Sequence, residues 1–171
     1  MIQQIILVLT FIAAIGCGVV AGIFFAFSSF VMAALGRIPP AQGIAAMQSI
    51  NVTVINPGFM LAFFGTALLC LALTGMAFFP WEQPGSALIV AASLLYLLGC
   101  IGVTMARNVP LNDLLAVAQP GAPEAHALWS RYLREWTLWN HVRTVAPAAS
   151  AVLFTMALLS RYVARHLAAS G

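Results

Sequence analysis

Charge is what this chain has least of. Only 6% of its 171 residues are Asp, Glu, Lys or Arg, while 63% are hydrophobic and the mean hydropathy is +1.01. A soluble domain carries about 25% charged residues, and a fold of this size could not cover its surface with so few. A soluble enzyme and a disordered tail are therefore excluded. Lysine is absent, and the basic residues are seven dispersed arginines. They form no basic stripe, so nucleic acid is not an expected partner despite a formal charge of +3. Acids number four: Glu82, Asp113, Glu124 and Glu135. No Glu-x-x-His pair lies in the apolar runs, which excludes the carboxylate-bridged di-iron centre of helical bundles. Cys17, Cys70 and Cys100 sit singly in apolar stretches with no CxxC. Neither a disulfide scaffold nor a thiol–disulfide exchanger fits, and they read as small buried hydrophobes. Of the three histidines only His141 lies near membrane depth, whereas His126 and His166 read as exposed. A bis-histidine haem is excluded, while a single-histidine haem or a copper site using Met stays open. No metal and no cofactor is predicted.

What the chain has instead is long apolar runs. Residues 5–35 carry no charge; as a helix they would extend about 46 Å, past a hydrocarbon core of about 30 Å, so the run should tilt or project at its C-terminal end. No basic segment precedes it, so a cleaved signal peptide is not expected. Ala14, Gly18, Gly22 and Ala26 recur every four residues, a stripe expected to let a neighbouring helix approach closely. After Pro39-Pro40 a short helix is expected to about residue 55, at the interface or dipping into the bundle. Asn56-Pro57 reads as an N-cap and first helical residue, opening a second span over 59–79. A turn at 80–85 places Trp81 at headgroup level. A third span covers 87–106, and Pro110 is expected to break it. Pro123-Glu124 starts a last helix that carries Trp129, Leu133, Trp136, Asn140 and Arg143 along one face and runs on into a fourth span, 145–159, with a kink expected at Pro147.

The fold class is therefore all-α: a four-transmembrane-helix bundle with short amphipathic helices on one side, forming one domain over residues 1–171. Both termini fall on one side, and the two polar connections, 36–56 and 107–144, share the other. Five arginines lie on the polar side against two on the terminal side, which leans the polar side towards the cytoplasm. Lipid bilayer is the expected surroundings; the oligomeric state is left open.

At the polar end, neutral polar residues and one arginine gather from all four spans: Ser28 and Ser29, Asn51 and Asn56, Asn108 and Asn112, then Asn140, His141, Arg143 and Thr144. Each amide would cost a few kcal/mol if buried without partners, so these groups must bond one another, free helix ends, water or a ligand. Asn beside Pro is ordinary capping chemistry, and serines in helices bond back to their own carbonyls. Trp129, Trp136 and Trp139 fit an interfacial belt as well as a substrate wall. Arg143 is harder to assign to structure alone, because an ionisable group near membrane depth is a functional candidate. His141 carries an imidazole, a side chain that could act as a base.

The stretches Phe24-Phe25-Ala26-Phe27-Ser28-Ser29-Phe30, Pro39 to Gln48, Asn56-Pro57, Asn108-Val109-Pro110-Leu111-Asn112 and Trp136-Thr137-Leu138-Trp139-Asn140-His141-Val142-Arg143-Thr144 resemble the anthrone oxygenase-like family of small four-span membrane proteins, along nearly the whole chain. The resemblance implies oxidation of an anthrone to an anthraquinone by molecular oxygen as co-substrate, the reaction of fungal members, and a bacterial inner (plasma) membrane as the expected location. An anthrone enolate reacts with oxygen itself, so the protein would need an apolar hollow, a proton acceptor and donors for the enolate oxygen. His141 suits the acceptor; Arg143 and Asn140 suit the donors. Asn51, Asn56, Asn108, Asn112, Thr144 and Ser28 are the expected polar substrate contacts, with Trp136 and Phe27 stacking on the rings. The same hollow would serve a binding or transport protein for lipophilic small molecules or quinones without catalysis, and a structural subunit whose Asn residues are all caps is the third reading.

Overall fold

The computed structural model describes residues 2–78 and 83–170, with backbone alone at 78 and 168–170. The headgroup position expected of Trp81, and most of the turn around it, lie outside them. Among the described residues there is no strand, and five helices account for the fold: α1 (Ile2–Leu35), α2 (Pro40–Thr53), α3 (Pro57–Phe78), α4 (Ser86–Ala116) and α5 (Pro123–Ser170). Four of them, all except α2, are long and apolar enough to cross a membrane, and the chain is an integral membrane protein. Helix is the form such sequences take in lipid, where every backbone N–H and C=O must be paired within its own segment. That requirement overrides the weak helix propensity of the Val- and Ile-rich stretches.

The spanning helices form a square in which α1 packs on α3 and α5, and α4 packs on the same two. Arg161 of α5 donates to the Gln3 Oε1 of α1 (2.8 Å) and the Ser86 Oγ of α4 (3.1 Å), which ties the first turns of α1 and α4 to the later part of α5 at one end of the bundle. The lengths are unequal. With 22 residues, α3 extends about 33 Å, enough for the hydrocarbon layer alone. At 34, 31 and 48 residues, α1, α4 and α5 overshoot it at the opposite end. There they enclose α2, and a second apolar core forms from Met32, Ile44, Met47, Leu111, Leu115, Trp129 and Tyr132. The Gln48 amide of α2 donates to the carbonyls of Leu115 (2.8 Å) and Ala118 (2.9 Å), capping the end of α4. Gly43 permits the close seating of α2, since a Cβ there would lie 2.8 Å from the Trp129 ring and 2.9 Å from the Leu35 carbonyl.

Two expectations are corrected. Pro110 does not break α4. Residues Thr104–Asn108 form π-helical turns in which the Val109 N–H reaches the Thr104 carbonyl five residues back, so Pro110 falls in the first turn of a fresh α-helical stretch, where its missing N–H matters little. The stripe of Ala14, Gly18, Gly22 and Ala26 is not a helix-packing face among the described residues: Ala14 borders the core, but Gly18 and Gly22 are exposed, with nothing near the position of a Cβ. The buried face of α1 is Ile6, Thr10, Ala13, Cys17, Val20 and Phe24, a quarter-turn and more away. As expected, α5 runs unbroken from Pro123 into the fourth span, and it continues through Pro147.

Candidate functional site

The junction between the two cores is polar and is organised around α5. Asn140 is fully buried. Its amide nitrogen donates to the Phe24 carbonyl and to Ser28 Oγ, both at 2.8 Å, and its Oδ1 accepts from Arg143 Nη2 at 2.9 Å. Thr144 Oγ1 donates to the Asn140 carbonyl (2.9 Å), so the 2.9 Å contact between Ser28 and Thr144 must use the Ser28 proton. A closed ring of bonds thus ties α1 to α5. A π-helical stretch, Phe27–Val31, sets Ser28 in this position on α1.

Arg143 is 4% exposed and has no acidic partner among the described residues. Its guanidinium carbon lies 4.4 Å from the Phe24 ring centre and 4.8 Å from that of Trp136, between two aromatic faces. Among the described residues it reaches, besides Asn140, only Thr104 Oγ1, at a long 3.4 Å, and Nε has no partner there. Two of five N–H donors are therefore engaged. Each ring face contributes about 2 kcal/mol to a desolvated cation, and the bond to Asn140 about 1.5–3 kcal/mol. Together these offset a burial cost of several kcal/mol for the ion but leave donors without acceptors. About two turns further along α4, Asn112 Oδ1 accepts from the Tyr132 hydroxyl (2.7 Å) and from Trp136 Nε1 (2.8 Å), which fixes the indole and leaves the Asn112 amide nitrogen without a partner among the described residues.

A cavity of about 260 Å³ opens in front of Arg143, just under the ~300–1,000 Å³ common for ligand pockets. All five helices line it, and the polar groups facing it are Asn51, Thr104, Asn112 and Arg143 in a wall otherwise made of Phe, Met, Ile, Val and Trp136. Its outer wall includes Ile55, Phe64 and Met105, 71%, 46% and 57% exposed. They mark a mouth where α3 and α4 part. The two helices pack along Ser86–Tyr96, where the Tyr96 hydroxyl donates to the Phe63 carbonyl (2.9 Å), and hardly touch beyond Gly102.

The structure thus brings together Asn51, Asn112, Trp136, Phe27 and Arg143 at the cavity, with Asn140, Ser28 and Thr144 behind them as the ring that holds Arg143. Six of the expected contacts do not line it: Ser28, Asn140 and Thr144 in that ring, and His141, Asn56 and Asn108. His141 is exposed, one residue and about 100° of helix beyond Asn140, on the outer face of α5, and so cannot serve as a base in this cavity. Asn56 is an N-cap: its Oδ1 accepts from the Phe59 N–H at 3.0 Å and its amide donates to the Thr53 carbonyl. Asn108 is fully buried against α5, donating to the Trp136 carbonyl at 3.1 Å, and does not line the hollow. Asn140 acts through Arg143 and makes no contact with the hollow itself. Ser29 bonds back to the Phe25 carbonyl (2.7 Å), whereas Ser28 bonds across to α5. Trp129 belongs to the second core and Trp139 lies beneath Arg107 (4.7 Å), so the tryptophans divide between wall, core and surface.

Phe24, Thr104 and Tyr132 are site residues that the sequence reading passed over. Tyr132 falls four residues before Trp136, on the face already marked by Trp129, Trp136 and Asn140, so the helical period pointed to it. Phe24 precedes Ser28 by one turn. Thr104 carries no such signal, because π-helical turns on either side of Val103 displace it from the regular period. Among the described residues no three His, Cys, Asp or Glu side chains gather in a way that could hold a metal ion.

Residues 59–153, more than half of the chain, match the family described as anthrone oxygenase. The matched stretch contains Thr104, Asn112, Trp136, Asn140 and Arg143 and begins beyond Ser28 and Asn51. No curated protein and no solved structure matches the chain.

Proposed function

We propose, from the premise that the chain belongs to the anthrone oxygenase family, that the hollow beside Arg143 binds a flat, lipophilic aromatic ketone and oxidises it with molecular oxygen. In the anthrone case the ring CH2 loses two hydrogens and gains one oxygen atom. The second oxygen atom leaves with those hydrogens as water, so the activity is that of a monooxygenase. The observation that carries this reading is a buried guanidinium with free donors, held between aromatic rings at the wall of an apolar cavity.

The guanidinium is charged at physiological pH and donates to the substrate oxygen. It binds the enolate more strongly than the ketone, and that difference favours loss of the ring proton. The lining residues offer no basic side chain besides the cationic Arg143, so the proton passes to water at the Asn51 and Asn112 end. Trp136, Phe27 and Phe24 flank the rings, and oxygen enters with the substrate through the lipid-facing mouth. The enolate transfers electrons to oxygen directly, and neither metal nor organic cofactor enters the scheme. We place the protein in a bacterial inner membrane with the polar end towards the cytoplasm.

The test is oxygen uptake by the purified protein given anthrone, with anthraquinone as product. Arg143→Ala should abolish the uptake above the spontaneous rate while keeping the helical circular dichroism of the parent. Equal uptake by the two proteins would remove Arg143 from the reaction. The missing base also favours a second reading, a quinone-like lipid held without turnover; a stoichiometric co-purified quinone together with no oxygen uptake would establish it.

A further inference from the structure

The opposite end of the bundle holds a second buried arginine that the proposed reaction does not use. Arg161 is 4% exposed, and its Nε has no partner. Its two Nη groups are engaged by the neutral oxygens of Gln3 and Ser86. Arg165, one turn further along α5, is exposed and in no ion pair among the described residues. Both arginines line a cavity of about 220 Å³ together with Gln3, Gln83, Pro84 and Ala164. Two like charges at i and i+4 repel, and burying one of them without an anion is costly.

The surroundings say which anion fits. Gln3 near the start of α1, Ser86 at the start of α4 and Arg161 where α5 leaves the bundle lie at one level, the membrane face of the terminal end. Span ends of this kind meet the headgroup layer, where lipid phosphates lie. The first turn of α4 adds the partial positive charge of a helix N-terminus. A guanidinium presents adjacent N–H groups in a fork that matches two phosphate oxygens, and the Arg161 Nε–H is the unfilled member of that fork. We propose that Arg161 and Arg165, with Gln3 and Gln83, form a phosphate-binding site at the terminal face of the bundle, filled by the phosphodiester of a lipid headgroup or by free phosphate.

Native mass spectrometry of the full-length protein in neutral detergent tests it, with phosphatidylglycerol, diacylglycerol lacking the phosphate, and inorganic phosphate as probes. Phosphatidylglycerol should bind at least tenfold more tightly than diacylglycerol. Arg165→Gln should lose about tenfold of that binding, and Arg37→Gln, at the other end, none. Arg161→Gln should lose more; because it also removes the ties to Gln3 and Ser86, Arg165→Gln is the deciding variant. Displacement of the lipid by millimolar inorganic phosphate, with the same dependence on Arg165, identifies free phosphate as a ligand. Equal binding of phosphatidylglycerol and diacylglycerol overturns the proposal, as does unchanged phosphatidylglycerol binding in Arg165→Gln.

Discussion

Two buried arginines stand at opposite ends of this bundle, and their surroundings differ in kind. Arg143 is pressed between the faces of Phe24 and Trp136 and opens on a hollow of aromatic and aliphatic side chains. Arg161 is held by a glutamine and a serine, with a second arginine on the next turn. The same guanidinium can thus be tuned to different ligands by what lies beside it. Aromatic faces exclude water and accept a flat ring, so the free donors suit a single oxygen on a polycycle. Polar neighbours and a second cation suit a compact, hydrated anion carrying several oxygens. Burial alone, equal at the two ends, would not have separated them.

The comparison can be broken most sharply at Arg143. Arg143→Lys keeps the charge but loses the planar fork and the fit between two rings. Turnover with anthrone should fall on the order of 10²–10³-fold, the scale of losing an oxyanion donor, and Arg165→Gln should leave it unchanged; an Arg143→Lys protein of parental activity would show that charge alone suffices. Trp136→Leu should raise the KM for anthrone by roughly tenfold, about 1.4 kcal/mol, because a stacking face and the bond to Asn112 are both lost. Titration of tight binders by fluorescence quenching checks it. Gln48→Ala removes two bonds to the end of α4 and should lower unfolding stability by about 1–2 kcal/mol, visible as a lower Tm, with substrate binding weakened only in proportion. His141→Ala should have the least effect, less than twofold on turnover at any pH, since that side chain faces away from the hollow. A loss of tenfold or more would return the imidazole to the reaction.

Most of the fold was legible because lipid leaves the chain few choices. The runs ending at Leu35, the cap at Asn56 and the long helix from Pro123 follow from length, hydropathy and proline placement. Pro110 misled because a π-helical turn gives a proline a first-turn position inside a continuous helix, and composition does not announce such a turn. The Gly18 and Gly22 stripe misled because close-packing residues show that a face can be approached without saying by what. In the site, the period of α5 puts Trp136, Asn140 and Arg143 on one face, where the structure has them, and His141 on another. Asn56 and Asn108 lie near the cluster in sequence, yet Asn56 caps α3 and the Asn108 amide nitrogen goes to the Trp136 carbonyl.

The parting of α3 and α4 has a kinetic consequence. On the proposed reading, a hollow whose outer wall is Ile55, Phe64 and Met105 would be filled from the acyl-chain region, so the concentration that sets its occupancy would be the mole fraction of ligand among the surrounding amphiphiles. Adding empty micelles at fixed total substrate should slow the protein by surface dilution, and saturation curves plotted against bulk molarity will shift with every change of detergent.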